Sequence, residues 1–168
     1  MFGILKKDKS KAAVSKAPAN ALLAAQNGTI IPIEKLPDPV FSGKVLGDGY
    51  AIDPTDGKVL SPVSGTIVDV QDTLHAYCLE TDDGLELLVH IGINTVELKG
   101  EGFRTKHKIG DRIRAGELLA TVDLALLRKK QILPYTIVLI SNVDELQAIH
   151  PNYTEATAGQ TVALTYEK

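Results

Sequence analysis

The chain has a single cysteine, Cys78, among 168 residues. One thiol excludes an intramolecular disulfide framework and leaves no thiol cluster for structural zinc, which fits a reducing, cytoplasmic compartment. No apolar run approaches the roughly 20 residues needed to cross a bilayer. The opening Met1-Phe2-Gly3-Ile4-Leu5-Lys6-Lys7 is not a secretory signal, because its apolar part is too short and its charges follow rather than precede it. Basic charge is not in excess either: the net charge is −3, which argues against nucleic acid as a main partner. The sequence holds no Gly-x-x-x-x-Gly-Lys-Ser/Thr loop for nucleotide phosphates and no His-Glu-x-x-His or His-x-His pattern for a metal.

What is present suits one soluble domain, with 44% hydrophobic and 23% charged residues. Residues 1–25 read as a flexible tail, rich at first in Lys, Ala and Ser, and residues 26–168 as the domain. Phe2, Ile4 and Leu5 ahead of Lys6, Lys7, Lys9 and Lys11 allow at most peripheral contact with an anionic membrane surface. Past residue 28 short β-like segments alternate with Gly, Pro and Asp. Gly28-Thr29-Ile30-Ile31-Pro32-Ile33 is echoed by Gly65-Thr66-Ile67-Val68-Asp69-Val70, and residues 110–120 are echoed by 158–164. The pattern predicts an all-β fold, a compact antiparallel sandwich or barrel with duplicated strand-turn units. One or two short helices are expected, over 124–130 with Asp123 as N-cap and over 142–149.

The most informative feature is a pair of histidines, His75 and His90, flanking the turn signal Thr81-Asp82-Asp83-Gly84. A two- or four-residue loop puts both imidazoles on one sheet face, with Cβ atoms roughly 4.5–8 Å apart. That register assigns Thr73, His75, Tyr77, Leu79, Glu86, Leu88 and His90 to one face. Leu74, Ala76, Cys78, Leu85, Leu87, Val89 and Ile91 then form the core face. Two converging imidazoles point to shared chemistry on a metal or a phosphoryl group. A zinc hydrolase on such a scaffold needs a third protein ligand, and neither His107, flanked by lysines, nor His150 offers one; His75 and His90 would need a ligand supplied by a partner. A neutral imidazole is a good phosphoryl acceptor, a second stabilises the charge in transit, and Thr73 is spaced to orient His75. The stiff Leu36-Pro37-Asp38-Pro39-Val40-Phe41 loop reads as either an ordinary turn or part of an apolar rim that docks a partner and keeps water out.

The run Leu88-Val89-His90-Ile91-Gly92-Ile93-Asn94-Thr95-Val96-Glu97-Leu98-Lys99-Gly100-Glu101-Gly102-Phe103 makes the resemblance specific. It is supported by Pro37-Asp38-Pro39-Val40-Phe41, Gly47-Asp48-Gly49, Ser61-Pro62-Val63-Ser64-Gly65-Thr66-Ile67 and Thr73-Leu74-His75-Ala76. Over residues 26–168 the chain resembles the glucose-type enzyme IIA of the bacterial phosphoenolpyruvate-dependent sugar phosphotransferase system. The resemblance implies a β-sandwich phosphotransferase component with a phosphohistidine intermediate and no cofactor. His90 would take a phosphoryl group from HPr and pass it to a cysteine of the IIB domain of a IIBC sugar permease. His75 would stabilise the phosphoryl and Thr73 would orient His75. Val40, Phe41 and Val96 would belong to the docking ring, with Asp38 and Glu97 as nearby negative groups. Asn94 stands where the family often has an acidic residue. Some members also bind regulatory targets, so a regulatory binding module that does not cycle phosphate is the alternative. A free-standing IIA protein, rather than a piece of a fusion, is expected.

Overall fold

The structure is a computed structural model and describes residues 18–168. Its strands are β1 (Ala21–Leu23), β2 (Gly28–Ile31), β3 (Asp48–Pro54), β4 (Lys58–Leu60), β5 (Gly65–Val70), β6 (Ala76–Glu80) and β7 (Glu86–Ile91). They continue with β8 (Phe103–Arg104), β9 (Arg112–Ile113), β10 (Leu118–Val122), β11 (Thr136–Ile140), β12 (Ala148–Pro151), β13 (Glu155–Ala156) and β14 (Val162–Glu167). Two short helices, α1 (Pro39–Ser42) and α2 (Leu124–Lys129), interrupt them. The strands form an antiparallel β-sandwich, with an eight-stranded sheet ordered β13-β2-β3-β11-β7-β6-β5-β9 and two three-stranded sheets, β1-β14-β12 and β4-β10-β8.

The centre of the large sheet is buried on both faces, which is why β11 after Thr136 reads as the unbroken apolar run Ile137-Val138-Leu139-Ile140. Tyr50, Ile52, Val89, Val138 and Ile140 enter the main core. On the opposite face Ala51, Ile137 and Leu139 pack with Ile33, Leu36, Phe41 and Ile93 in a second, smaller core. That second layer exists because the proline-fixed segment ending in α1 folds back over the sheet, and it is the face on which His90 lies.

Three expectations are corrected. The domain does not begin at residue 26: Ala21–Leu23 is a strand paired with β14, and Tyr50 donates its buried hydroxyl to the Leu23 carbonyl at 2.8 Å. The rest of the expected tail, residues 1–17 with their membrane-contact lysines, lies outside the described residues. The segment 142–149 is not a helix; a short 3-10 turn at Val143–Glu145 gives way to β12, whose backbone pairs with β14.

The third correction concerns the histidine hairpin. The connection Thr81–Leu85 has five residues, and Ala76 stands opposite His90. Odd loop length reverses the face assignment: Tyr77 and Leu79 join Leu87, Val89 and Ile91 in the core, while Ala76, Cys78 and Leu88 share the His90 face. Continued alternation would bury the His75 ring in the main core. It does not continue. Leu74 is left-handed, with φ +59°, and packs against the main core itself. The strand starts only at Ala76, and His75 turns toward His90.

Candidate phosphoryl-transfer site

His90 is the penultimate residue of β7, between Ala76 of β6 and Ile137 of β11. Its ring sits 4.9 Å from Phe41 and 5.0 Å from His75, centroid to centroid, with the two imidazoles nearly perpendicular at 82°. The Nδ1 atom is 2.8 Å from the Gly92 carbonyl oxygen. A carbonyl only accepts, so Nδ1 carries the proton and Nε2 keeps its lone pair. Gly92 has φ +78°, a conformation that lets the chain double back so that its carbonyl reaches the ring two residues earlier.

His75 is buried, and its Nδ1 is 2.6 Å from the Thr73 hydroxyl. The turn that holds this pair is closed by Leu74 N–H donating to the Gln71 carbonyl, and Ile91 N–H donates to the His75 carbonyl. The backbone thus ties Thr73, His75 and His90 into one rigid group.

Burial sets the protonation states. It pushes the His90 imidazole from its ordinary 6.5 down to about 4, and a charged His75 pushes the same way. The bond to Gly92 and the Asp38 carboxylate act in the opposite direction, and less strongly. His75 is also held below its ordinary value by burial. Both rings are therefore neutral near pH 7, so His90 presents a nucleophilic nitrogen and His75 an uncharged donor or acceptor.

The rim residues separate into two kinds. Val40 and Val96 are 43% and 52% exposed, Val40 on α1 and Val96 on the 3-10 turn that follows Gly92. Phe41, expected on the rim, is only 6% exposed and forms a wall under His90. Asp38 caps α1, accepting from Val40 N–H at 2.9 Å and Phe41 N–H at 3.3 Å. Asn94 is exposed and left-handed at φ +65°, and Glu97 is exposed one turn on. Gly100 lies beside the Thr73 carbonyl, whereas Gly102 lies against α2. The sequence singled out His75, His90 and Thr73, and these meet. It did not single out the Gly92 carbonyl as the partner of His90, because a backbone acceptor leaves no side-chain signal.

His107 is held by Asp111 at 3.3 Å and the Leu118 carbonyl at 2.9 Å, and His150 by Glu167 at 2.6 Å, both away from the pair. Among the described residues no three His, Cys, Asp or Glu side chains are grouped to hold a metal ion, and no helix is long and apolar enough to cross a membrane.

The family model for the phosphoenolpyruvate-dependent sugar phosphotransferase system, EIIA 1, matches residues 20–146. A glucose-specific EIIA component of Halalkalibacterium halodurans is 44% identical over 167 residues, covering 98% of this chain and 95% of the relative. One from Buchnera aphidicola is 42% identical over 86% of this chain and 89% of the relative. Among solved structures the glucose permease IIA of Mycoplasma capricolum superposes with a TM-score of 0.77 at 34% identity, covering 86% of this chain and 94% of that one. The paired histidines thus sit in a chain that belongs to the EIIA 1 family of the phosphoenolpyruvate-dependent sugar phosphotransferase system.

Proposed function

We propose that this chain is a phosphoryl carrier in which His90 is the acceptor. The observation that carries the reading is the His90 ring itself: neutral, with Nδ1 fixed on the Gly92 carbonyl and Nε2 left as the free nucleophile. In the first step Nε2 attacks the phosphoryl of a phosphohistidine on HPr. The N–P bond of HPr breaks as the Nε2–P bond forms. In the second step a cysteine thiolate of a IIB domain attacks the same phosphorus, the Nε2–P bond breaks as the S–P bond forms, and its electron pair stays on Nε2, which returns His90 to a neutral imidazole protonated on Nδ1.

His75 supports both steps. With the Thr73 hydroxyl donating to Nδ1, His75 carries its proton on Nε2 and donates it as a hydrogen bond to a phosphoryl oxygen. Charge on the transferring group is met by a donor already in place, so little reorganisation accompanies transfer. The exposed Val40 and Val96 suit an apolar contact that excludes water from the labile N–P bond while a partner is docked. The relatives are named glucose-specific, and glucose is the sugar we assign to the permease served by this chain.

The test uses phosphoenolpyruvate, enzyme I and HPr. Phosphate on His90 Nε2, located by imidazole 15N shifts, is expected; phosphate on His75 refutes the assignment. His75→Gln is expected to accept phosphate and to pass it to IIB at least about a hundredfold more slowly. Normal onward transfer in that variant removes His75 from the mechanism. A chain that binds HPr yet takes no phosphate is instead a regulatory binding module.

A further inference from the structure

The loop that carries the Gly92 carbonyl is closed by a side chain that touches no reacting atom. Thr95 is fully buried, and its hydroxyl donates to the Ile91 carbonyl at 2.5 Å. Its Cγ2 methyl lies 2.3 Å from where a β-carbon on Gly92 would stand, so it occupies the space beside that residue. Gly92 N–H donates to the Tyr135 carbonyl at 2.8 Å, and Ile93 N–H to the Leu133 carbonyl at 3.0 Å. These bonds pin the nitrogen side of the loop to the segment leading into β11. Gly92 and Asn94 are both left-handed, a conformation that nothing in a β-ladder maintains. The Thr95 hydroxyl is the tie that closes residues 91–95 on themselves, and the Gly92 carbonyl sits inside the closed loop.

We propose that Thr95 is a positioning residue for phosphoryl transfer: by closing the 91–95 loop it aims the Gly92 carbonyl at His90 Nδ1 and so keeps His90 Nε2 unprotonated. This rests on the phosphoryl-carrier reading above. The hydrogen bond at one ring nitrogen decides which nitrogen holds the proton. When the carbonyl drifts, the proton is free to move to Nε2, and a protonated Nε2 cannot attack phosphorus.

The experiment compares Thr95→Val with Thr95→Ser in the full chain. The first removes the hydroxyl and keeps the bulk; the second keeps the hydroxyl. Two readouts are taken: the imidazole 15N shifts of His90 and His75 in the unphosphorylated protein, and the rate of phosphate uptake from phospho-HPr. In Thr95→Val a resolved population of Nε2-protonated His90 is expected, with His75 unchanged and uptake about five- to tenfold slower, the equivalent of one lost hydrogen bond. In Thr95→Ser the His90 tautomer is expected to stay wild-type and uptake to stay within about twofold.

A folded Thr95→Val whose His90 keeps the wild-type tautomer and uptake rate overturns the proposal, because a merely structural Thr95 would lower stability and leave both readouts alone. If Thr95→Val does not fold, Thr95→Ser decides: loss of the tautomer with the hydroxyl present overturns the proposal, and retention supports it. Absence of phosphate uptake in the wild-type chain would defeat the carrier reading instead, and the tautomer comparison would still answer for Thr95.

Discussion

Replacing Gly92 by alanine should be among the most damaging single-methyl changes in this chain. Its backbone is left-handed at φ +78°, which costs a non-glycine residue roughly 1–2 kcal/mol. The added β-carbon would stand 2.3 Å from the Thr95 methyl and 3.3 Å from the Leu133 carbonyl oxygen. Thr95 has no room to yield, being fully buried and bonded to the Ile91 carbonyl. Overpacking of this kind costs about 1–3 kcal/mol. Against that, alanine narrows the unfolded ensemble and returns about 0.4–1 kcal/mol. The net loss is about 1–5 kcal/mol, a sizeable part of the roughly 5–15 kcal/mol that stabilises a typical domain. Gly84→Ala is the control, since Gly84 is also left-handed at φ +91° but a β-carbon there meets nothing within 4 Å. Urea unfolding with linear extrapolation reads both variants at unchanged m. A Gly92→Ala loss no greater than that of Gly84→Ala would refute the claim that Thr95 and Gly92 are packed without slack.

Two further perturbations probe the electrostatics. The folded His90 titrates near 4 against an ordinary 6.5, so below pH 6.5 the unfolded chain binds a proton that the folded chain refuses. Stability is therefore complete above pH 6.5 and falls as the pH drops toward 4, by up to about 3 kcal/mol from this ring. His90→Gln should flatten that slope in pH-dependent unfolding, and an unchanged slope contradicts the burial argument. Asp38→Ala removes the cap of α1 and should cost about 1 kcal/mol in thermal or urea unfolding. It should also push the His90 pKa further down, because the Asp38 charge acts to raise it; NMR titration of His90 reads the sign.

The strand content, the α2 helix with its Asp123 cap and the meeting of the two histidines were legible in the sequence, each through a local signal: turn residues, a capping aspartate, a specific motif. The reason the histidines meet was not. Loop parity depends on where the β6–β7 ladder stops, and Thr81-Asp82-Asp83-Gly84 names the turn without its length. A five-residue connection reversed the faces, and the left-handed Leu74 then turned His75 back. Nothing in a leucine announces φ +59°; tertiary packing imposes it. Phe41 was ambiguous for the same kind of reason, since its burial between α1 and the sheet depends on the fold of the whole proline-fixed segment. The short helix expected at 142–149 lost to the ladder between β12 and β14, a long-range pairing that no local pattern records.

Transfer of one phosphoryl group to His90 is read most directly by intact mass. The wild-type chain, incubated with phosphoenolpyruvate, enzyme I and HPr, should gain the mass of a single phosphoryl, lost again on brief acid treatment. His90→Ala under the same conditions should gain nothing while keeping the wild-type fold. Equal labelling of the wild-type chain and His90→Ala, or no labelling of the wild-type chain by a competent HPr, would contradict the assignment of His90 as the acceptor.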